Sequence, residues 1–221
     1  MVNKKVINSV FTSVLYLVLA FFSYLLFCIT WKYVHFPLRS DVAFLVLKQE
    51  YIHLWYYKTA FYTHVFTSMF VLLAGFTQFS TYILTRYKNI HRAIGYTYVS
   101  VILLFTGPSG LLMGYYANGG YISQLAFCIL AILWLFFTYK AYTKAIQKEF
   151  SAHKKYMYYS YALTLSAITL RAWKWGIVQL FAPSPMDVYQ LVAWLGWVPN
   201  ILIATLYIHY KEKIKNKQNK E

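Results

Sequence analysis

The stretch VFTSVLYLVLAFFSYLLFCIT, residues Val10–Thr30, contains no charged side chain. A helix needs roughly 20 apolar residues to cross the hydrocarbon core of a bilayer. A helix on the surface of a soluble domain keeps a polar face for water, and this run has none. It reads as a transmembrane helix. Lys4 and Lys5 precede it as in a signal peptide. No small-x-small cleavage site follows, and the run is long enough to span, so an uncleaved signal anchor is expected.

Five further runs extend the pattern outward, near Tyr57–Ile83, His91–Tyr116, Tyr121–Tyr142, Tyr156–Phe181 and Val188–Tyr210. Their separators are turn-formers. Asn118-Gly119-Gly120 suits a tight turn because glycine accepts positive φ, and Pro183-Ser184-Pro185 ends a helix because proline cannot continue one. The expected fold is all-α, a polytopic transmembrane bundle of six spans that forms one membrane-embedded domain over residues 1–221. The one long link, residues 32–56, is an outer loop. Within it, Ser40-Asp41 is placed to cap a helix through Val42–Leu54. Phe44, Leu45, Leu47, Tyr51 and Trp55 suit such a helix lying on the membrane surface, as a lid or packing element. In the third run, Gly107-Pro108-Ser109-Gly110 and Gly114 predict a kink with a freed carbonyl and a notch for a neighbouring helix.

Composition agrees with a membrane protein. The chain is 60% hydrophobic and 12% charged, whereas soluble domains carry about a quarter charged residues. A net charge of +15 would suggest nucleic acid in a soluble protein. Here the basic residues collect at alternate ends of the runs. Lys32, Arg39, Lys48 and Lys58 fall on one side, and Arg171 and Lys174 lie within the fifth run. The other fifteen of the 21 Lys and Arg fall on the opposite side. By the positive-inside rule both termini face the cytoplasm, and residues 211–221 form a basic cytoplasmic tail. The partner is then the lipid bilayer, with no nucleic acid. Cys28 and Cys128 read as small buried hydrophobes. Both fall toward the same face, which leaves a disulfide between them open. No zinc-type spacing occurs.

Function must come from the few polar groups inside the runs. Depth follows from a rise of about 1.5 Å per residue. His64, Ser109 and Arg171 reach one level in the outer half. His91, His153 and Gln78 reach one level near the inner side, with Tyr98 and Tyr161 about two turns deeper. No Asp or Glu lies in a run to pair with Arg171. A guanidinium in hydrocarbon costs at least about 2.5 kcal/mol unless paired or wetted. Arg171 therefore either binds carbonyls or an anion, or snorkels to the outer headgroups. His91 and His153 adjoin Arg92 and Lys154-Lys155. They read either as a buried pair or as interfacial cations.

Several ordered motifs connect these residues: His64; Gly75-Phe76-Thr77-Gln78-Phe79; Arg86; His91-Arg92-Ala93-Ile94-Gly95-Tyr96-Thr97-Tyr98; Ser109-Gly110-Leu111; Gly119-Gly120; Leu125-Ala126; Trp134; His153-Lys154-Lys155-Tyr156-Met157; Ser160-Tyr161-Ala162-Leu163-Thr164; and Arg171. This series resembles the domain-of-unknown-function 2306 family of bacterial membrane proteins. It departs at Tyr159, where family members often carry arginine. The resemblance implies a multipass bundle and brings no activity with it.

Three functional expectations follow from the residues. The first is a redox protein in which His91 and His153 are the axial ligands of one b-type haem, leaving His64 for a ligand such as a quinone. The second is a transporter or binder of a small anionic or lipid-like molecule, with Arg171, His64 and Ser109 as its contacts. Gln78 and Tyr98 are further candidate ligand residues. The third is a non-catalytic accessory or assembly subunit of a membrane complex. Hydrolysis is disfavoured, because the chain has no Gly-x-Ser-x-Gly elbow, His-Glu-x-x-His motif or buried acid pair. Enzymatic activity is otherwise left open.

Overall fold

In the computed structural model, residues 4–34, 39 and 41–218 are described. They form helices and turns, with no strand among the described residues. Helix α1 spans Lys4–Trp31, α2 Trp55–Leu73, α3 Gly75–Gln78, α4 Thr81–Arg86 and α5 Lys88–Val101. A π-helical turn, Ile102–Thr106, joins α5 to α6, Gly107–Tyr115. Then follow α7 (Gly120–Ile146), α8 (Phe150–Thr164), α9 (Ser166–Phe181), α10 (Pro185–Leu195) and α11 (Val198–Gln218). Five segments are long and apolar enough to cross a membrane: Thr12–Trp31, Trp55–Gln78, Lys88–Tyr115, Gly120–Ile146 and Pro185–Lys217. The chain is an all-α polytopic membrane protein.

The expected fifth span, Tyr156–Phe181, differs from these. It is divided between α8, of 15 residues, and α9, of 16. The break follows Thr164, whose hydroxyl donates to the Ser160 carbonyl one turn back at 3.2 Å. A side chain bonded to its own helix in this way bends it. The second span also ends sooner than Ile83. Ser80 Oγ accepts from the Ile83 N–H at 3.3 Å and so caps α4, which starts a new direction.

Helix α7 is the axis of the bundle, packed between α6 and α8 with α10 against it. Gly114 makes the α6 contact close, since a Cβ there would lie 3.1 Å from Phe127 Cβ and 3.2 Å from the Cys128 nitrogen. Helix α7 starts at Gly119, whose φ of 86° only glycine adopts without strain, as the turn reading expected. Ser184 caps α10 by accepting from the Asp187 N–H at 3.3 Å, with Pro185 at its start. Helix α1 stands at the edge, packed on α2, and most of its side chains are exposed. In a bilayer those faces meet lipid. Cys28 and Cys128 are free thiols.

The long loop departs from its expected form. Its helix is a short 3₁₀ segment, Ala43–Lys48, with no side-chain cap at Val42. Ser40 lies outside the described residues, and Asp41 instead pairs with Arg39 at 2.6 Å. The segment does not lie flat on the membrane. Leu45 is fully buried, Phe44 stacks on Phe61 with ring centres 6.3 Å apart, and Tyr51 packs on Tyr116 at 4.9 Å. Leu47 and Trp55 remain exposed. The loop is a roof packed inward on the ends of α1, α2 and α6.

Candidate functional site

Polar side chains meet at three levels along the bundle. The end under the roof, where basic residues are scarce, is here termed outer. There, His64 on α2 reaches across to the π-turn, and its Nδ1 lies 2.9 Å from the Thr106 carbonyl oxygen. A carbonyl only accepts, so Nδ1 carries the proton and Nε2 is left with its own bonding capacity. Gly110 provides the seat for the ring, since a Cβ there would lie 3.0 Å from His64 Cε1 and 3.1 Å from Nδ1. The wide turn results from Pro108, which has no N–H to offer the preceding turn. Thr106 and Thr67 join their hydroxyls at 2.9 Å beside the histidine.

Ser109 has a different role from the one expected of it. Its hydroxyl faces the carbonyls of Phe105 at 2.6 Å and Thr106 at 3.2 Å, so its proton is used within its own helix. It stiffens the turn that holds His64.

Arg171, on α9, is within electrostatic reach of His64 and Tyr33. Its Nη1 donates to the Ala167 carbonyl, one turn toward the start of α9. The side chain thus turns back toward the middle of the bundle. A snorkelling arginine here would reach the other way, toward the outer headgroups. The Arg171 side chain is exposed on α9. Among the described residues no carboxylate pairs with it; the ion pairs are Arg39–Asp41, Lys144–Glu149 and Lys155–Glu212.

The middle level is a closed network. Tyr98 Oη shares hydrogen bonds with Ser160 Oγ at 2.8 Å and Thr164 Oγ1 at 3.0 Å. Thr138 Oγ1 meets Ser160 Oγ at 2.7 Å, and Trp134 Nε1 donates to Thr164 Oγ1 at 3.1 Å. Tyr161 Oη donates to the Leu72 carbonyl at 2.9 Å, and its ring occupies the space over Gly75. These groups satisfy one another and pin α5, α7 and α8 together. Tyr98 is therefore held in the core.

At the inner level, His91 and His153 are brought close enough to interact electrostatically. His153 Nδ1 donates to the Ala141 carbonyl at 2.8 Å, which leaves its Nε2 free. The His91 ring lies against the Thr77 backbone, and its Nδ1 is buried without a hydrogen-bond partner. Gln78 Nε2 donates to the His91 carbonyl at 3.0 Å, while its Oε1 packs over Gly95. Gln78 anchors the backbone of α5. Tyr159, at the departure from the family pattern, stacks on Phe137 at 4.8 Å.

Sequence reasoning missed Thr106, Thr67 and Tyr33. A threonine in an apolar run carries no signal until its partner is known, and Tyr33 is one of 23 tyrosines. Gly110 was legible only as a packing notch.

The fold and its interior define a multipass α-helical membrane protein with polar sites at two depths. It belongs to the DUF2306 family, described as predicted membrane proteins, whose family model matches residues 61–208. That window holds all seven candidate residues and leaves out α1 and the roof. No curated protein and no solved structure matches the chain.

Proposed function

We propose that the protein binds or transports a small anionic or lipid-like molecule, held at the outer level by Arg171 and His64, in a bacterial cell membrane. One observation carries this reading: the Arg171 charge, turned back along α9 toward the middle of the membrane, has no carboxylate partner among the described residues. A cation so placed is unfavourable alone and is stabilised by an anion brought to it. His64 Nε2 supplies a second contact, oriented by the Thr106 carbonyl and the Gly110 seat. Thermal unfolding with added candidate anions, in the native protein and Arg171→Ala, tests it. Stabilisation is expected in the native protein alone; equal shifts in both would sink the proposal.

A second reading concerns the inner histidines. The buried, unpartnered Nδ1 of His91 and the free Nε2 of His153 form a donor pair on facing helices. Such a pair suits one b-type haem, which when bound supplies one-electron transfer. Here Ala141 would fix the tautomer of His153, and Gln78 would hold the start of α5 in register. Protein expressed with ample haem should then show a Soret band that both His91→Ala and His153→Ala abolish. A folded, colourless native protein would remove this reading.

A further inference from the structure

Two features flank Arg171 and His64, the roof and the exposed turn of α9. The Phe44 N–H donates to Tyr33 Oη at 3.1 Å, and Tyr33 itself is only 3% exposed beside Arg171. At the far end of the roof, buried Lys48 donates to the Tyr116 carbonyl and to Asn118 Oδ1 in the turn between α6 and α7. The roof is thus fastened at both ends.

Helix α9 packs through its first half, where Leu170 fits against Gly196 and Thr169 bonds to the Gly196 carbonyl. From Arg171 to Trp175 five consecutive residues are all exposed. Successive residues step about 100° around a helix, so five of them cover its whole circumference. The turn is therefore accessible around its circumference. Its exposed side chains are Trp173 and Trp175 together with the cations Arg171 and Lys174. A greasy surface interrupted by two positive charges complements an amphiphile with an acidic head and not a water-borne ion.

We propose that the surface formed by Arg171 and the exposed turn of α9, next to His64, takes the acidic headgroup of a membrane amphiphile, a phosphate or carboxylate on a hydrocarbon chain, which approaches sideways from the outer leaflet. Arg171 binds the anion, His64 Nε2 contacts it, and the chain stays in the lipid beside Trp173 and Trp175. This rests on the anion-binding reading above and adds the source of the ligand and its route.

The full-length protein in nanodiscs of phosphatidylcholine, with and without phosphatidic acid, provides the test. Retained lipid is counted by native mass spectrometry, and inorganic phosphate is titrated in parallel against detergent-solubilised protein. Phosphatidic acid should be retained over phosphatidylcholine. Arg171→Gln should lower that preference roughly tenfold or more, as expected for loss of a charge-assisted contact, and Arg171→Lys should restore part of it. Inorganic phosphate should bind weakly or not at all. Arg171-dependent phosphate binding without lipid preference would overturn the lipid route and leave the anion site standing. A lipid preference unchanged in Arg171→Gln would place the lipid on the other basic residues and overturn the proposal. Binding of neither probe would overturn both readings. Melting temperatures of the variants identify any that fail to fold, and for those His64→Gln, which should also lower retention, takes their place.

Discussion

The middle and outer levels of this bundle use polar groups in opposite ways. Around Tyr98 the hydroxyls of Thr138, Ser160 and Thr164 and the Trp134 indole bond to one another, and Tyr161 fills the space over Gly75. Around Arg171 the charge has only a carbonyl of its own helix, and the helix turn that bears it is uncovered. A satisfied network fixes structure, because breaking it leaves buried groups without partners. An exposed charge without a carboxylate partner contributes little to folding. The difference teaches that one bundle keeps its mutually satisfied polar groups and its unpaired charge on separate levels.

The largest expected effect tests the closed level. A Cβ at Gly75 would lie 1.7 Å from Tyr161 Oη. Gly75→Val should therefore destabilise the protein by about 3 kcal/mol, read by thermal unfolding in detergent. Wild-type stability in that variant would mean that Tyr161 is not seated there. Next, Tyr98→Phe removes the hydroxyl shared by Ser160 and Thr164 and should cost about 1–2 kcal/mol by the same assay. At the open level the contrast should be sharp. Arg171→Ala should change stability by no more than about 0.5 kcal/mol while removing anion-induced stabilisation. A large loss of stability would instead make Arg171 part of the scaffold.

A pH-dependent effect concerns the roof. Burial pushes the Lys48 ammonium down from its ordinary 10.5 to about 8. Between those values the unfolded chain holds the proton and the folded chain does not, so stability should rise as pH climbs from about 8 toward 10.5. The penalty of the buried charge is present in full below about 8. Lys48→Met should flatten this part of the pH profile, and an unchanged slope would assign it to another group.

Much of the architecture was legible because length and apolarity suffice to mark a membrane helix. Val10–Thr30 falls inside α1, and the turns at Gly119 and Ser184 lie where glycine and proline chemistry puts them. The helix breaks were not legible. Thr164 lies at one by bonding back to Ser160, and Ser80 makes another by capping α4; both residues also occur unremarkably within helices. The roof was legible as a lid or packing element but not in its form, because the apolar side chains of a long interfacial helix look the same as those of a short packed turn. Leu45 and Lys48 turn inward only because Tyr33, Phe61 and Tyr116 receive them.

For the candidate residues, the sequence by itself determined which groups had to be explained: scarce imidazoles and one guanidinium in apolar runs with no acid beside them. That much follows from the cost of charge in hydrocarbon. The tertiary structure alone decided their roles. It aimed His64 at a carbonyl on another helix, took Ser109, Gln78 and Tyr98 into the scaffold, set His153 against the Ala141 carbonyl, and left Arg171 exposed. Hydrogen bonds between helices depend on which faces meet, and spacing along one chain does not specify that.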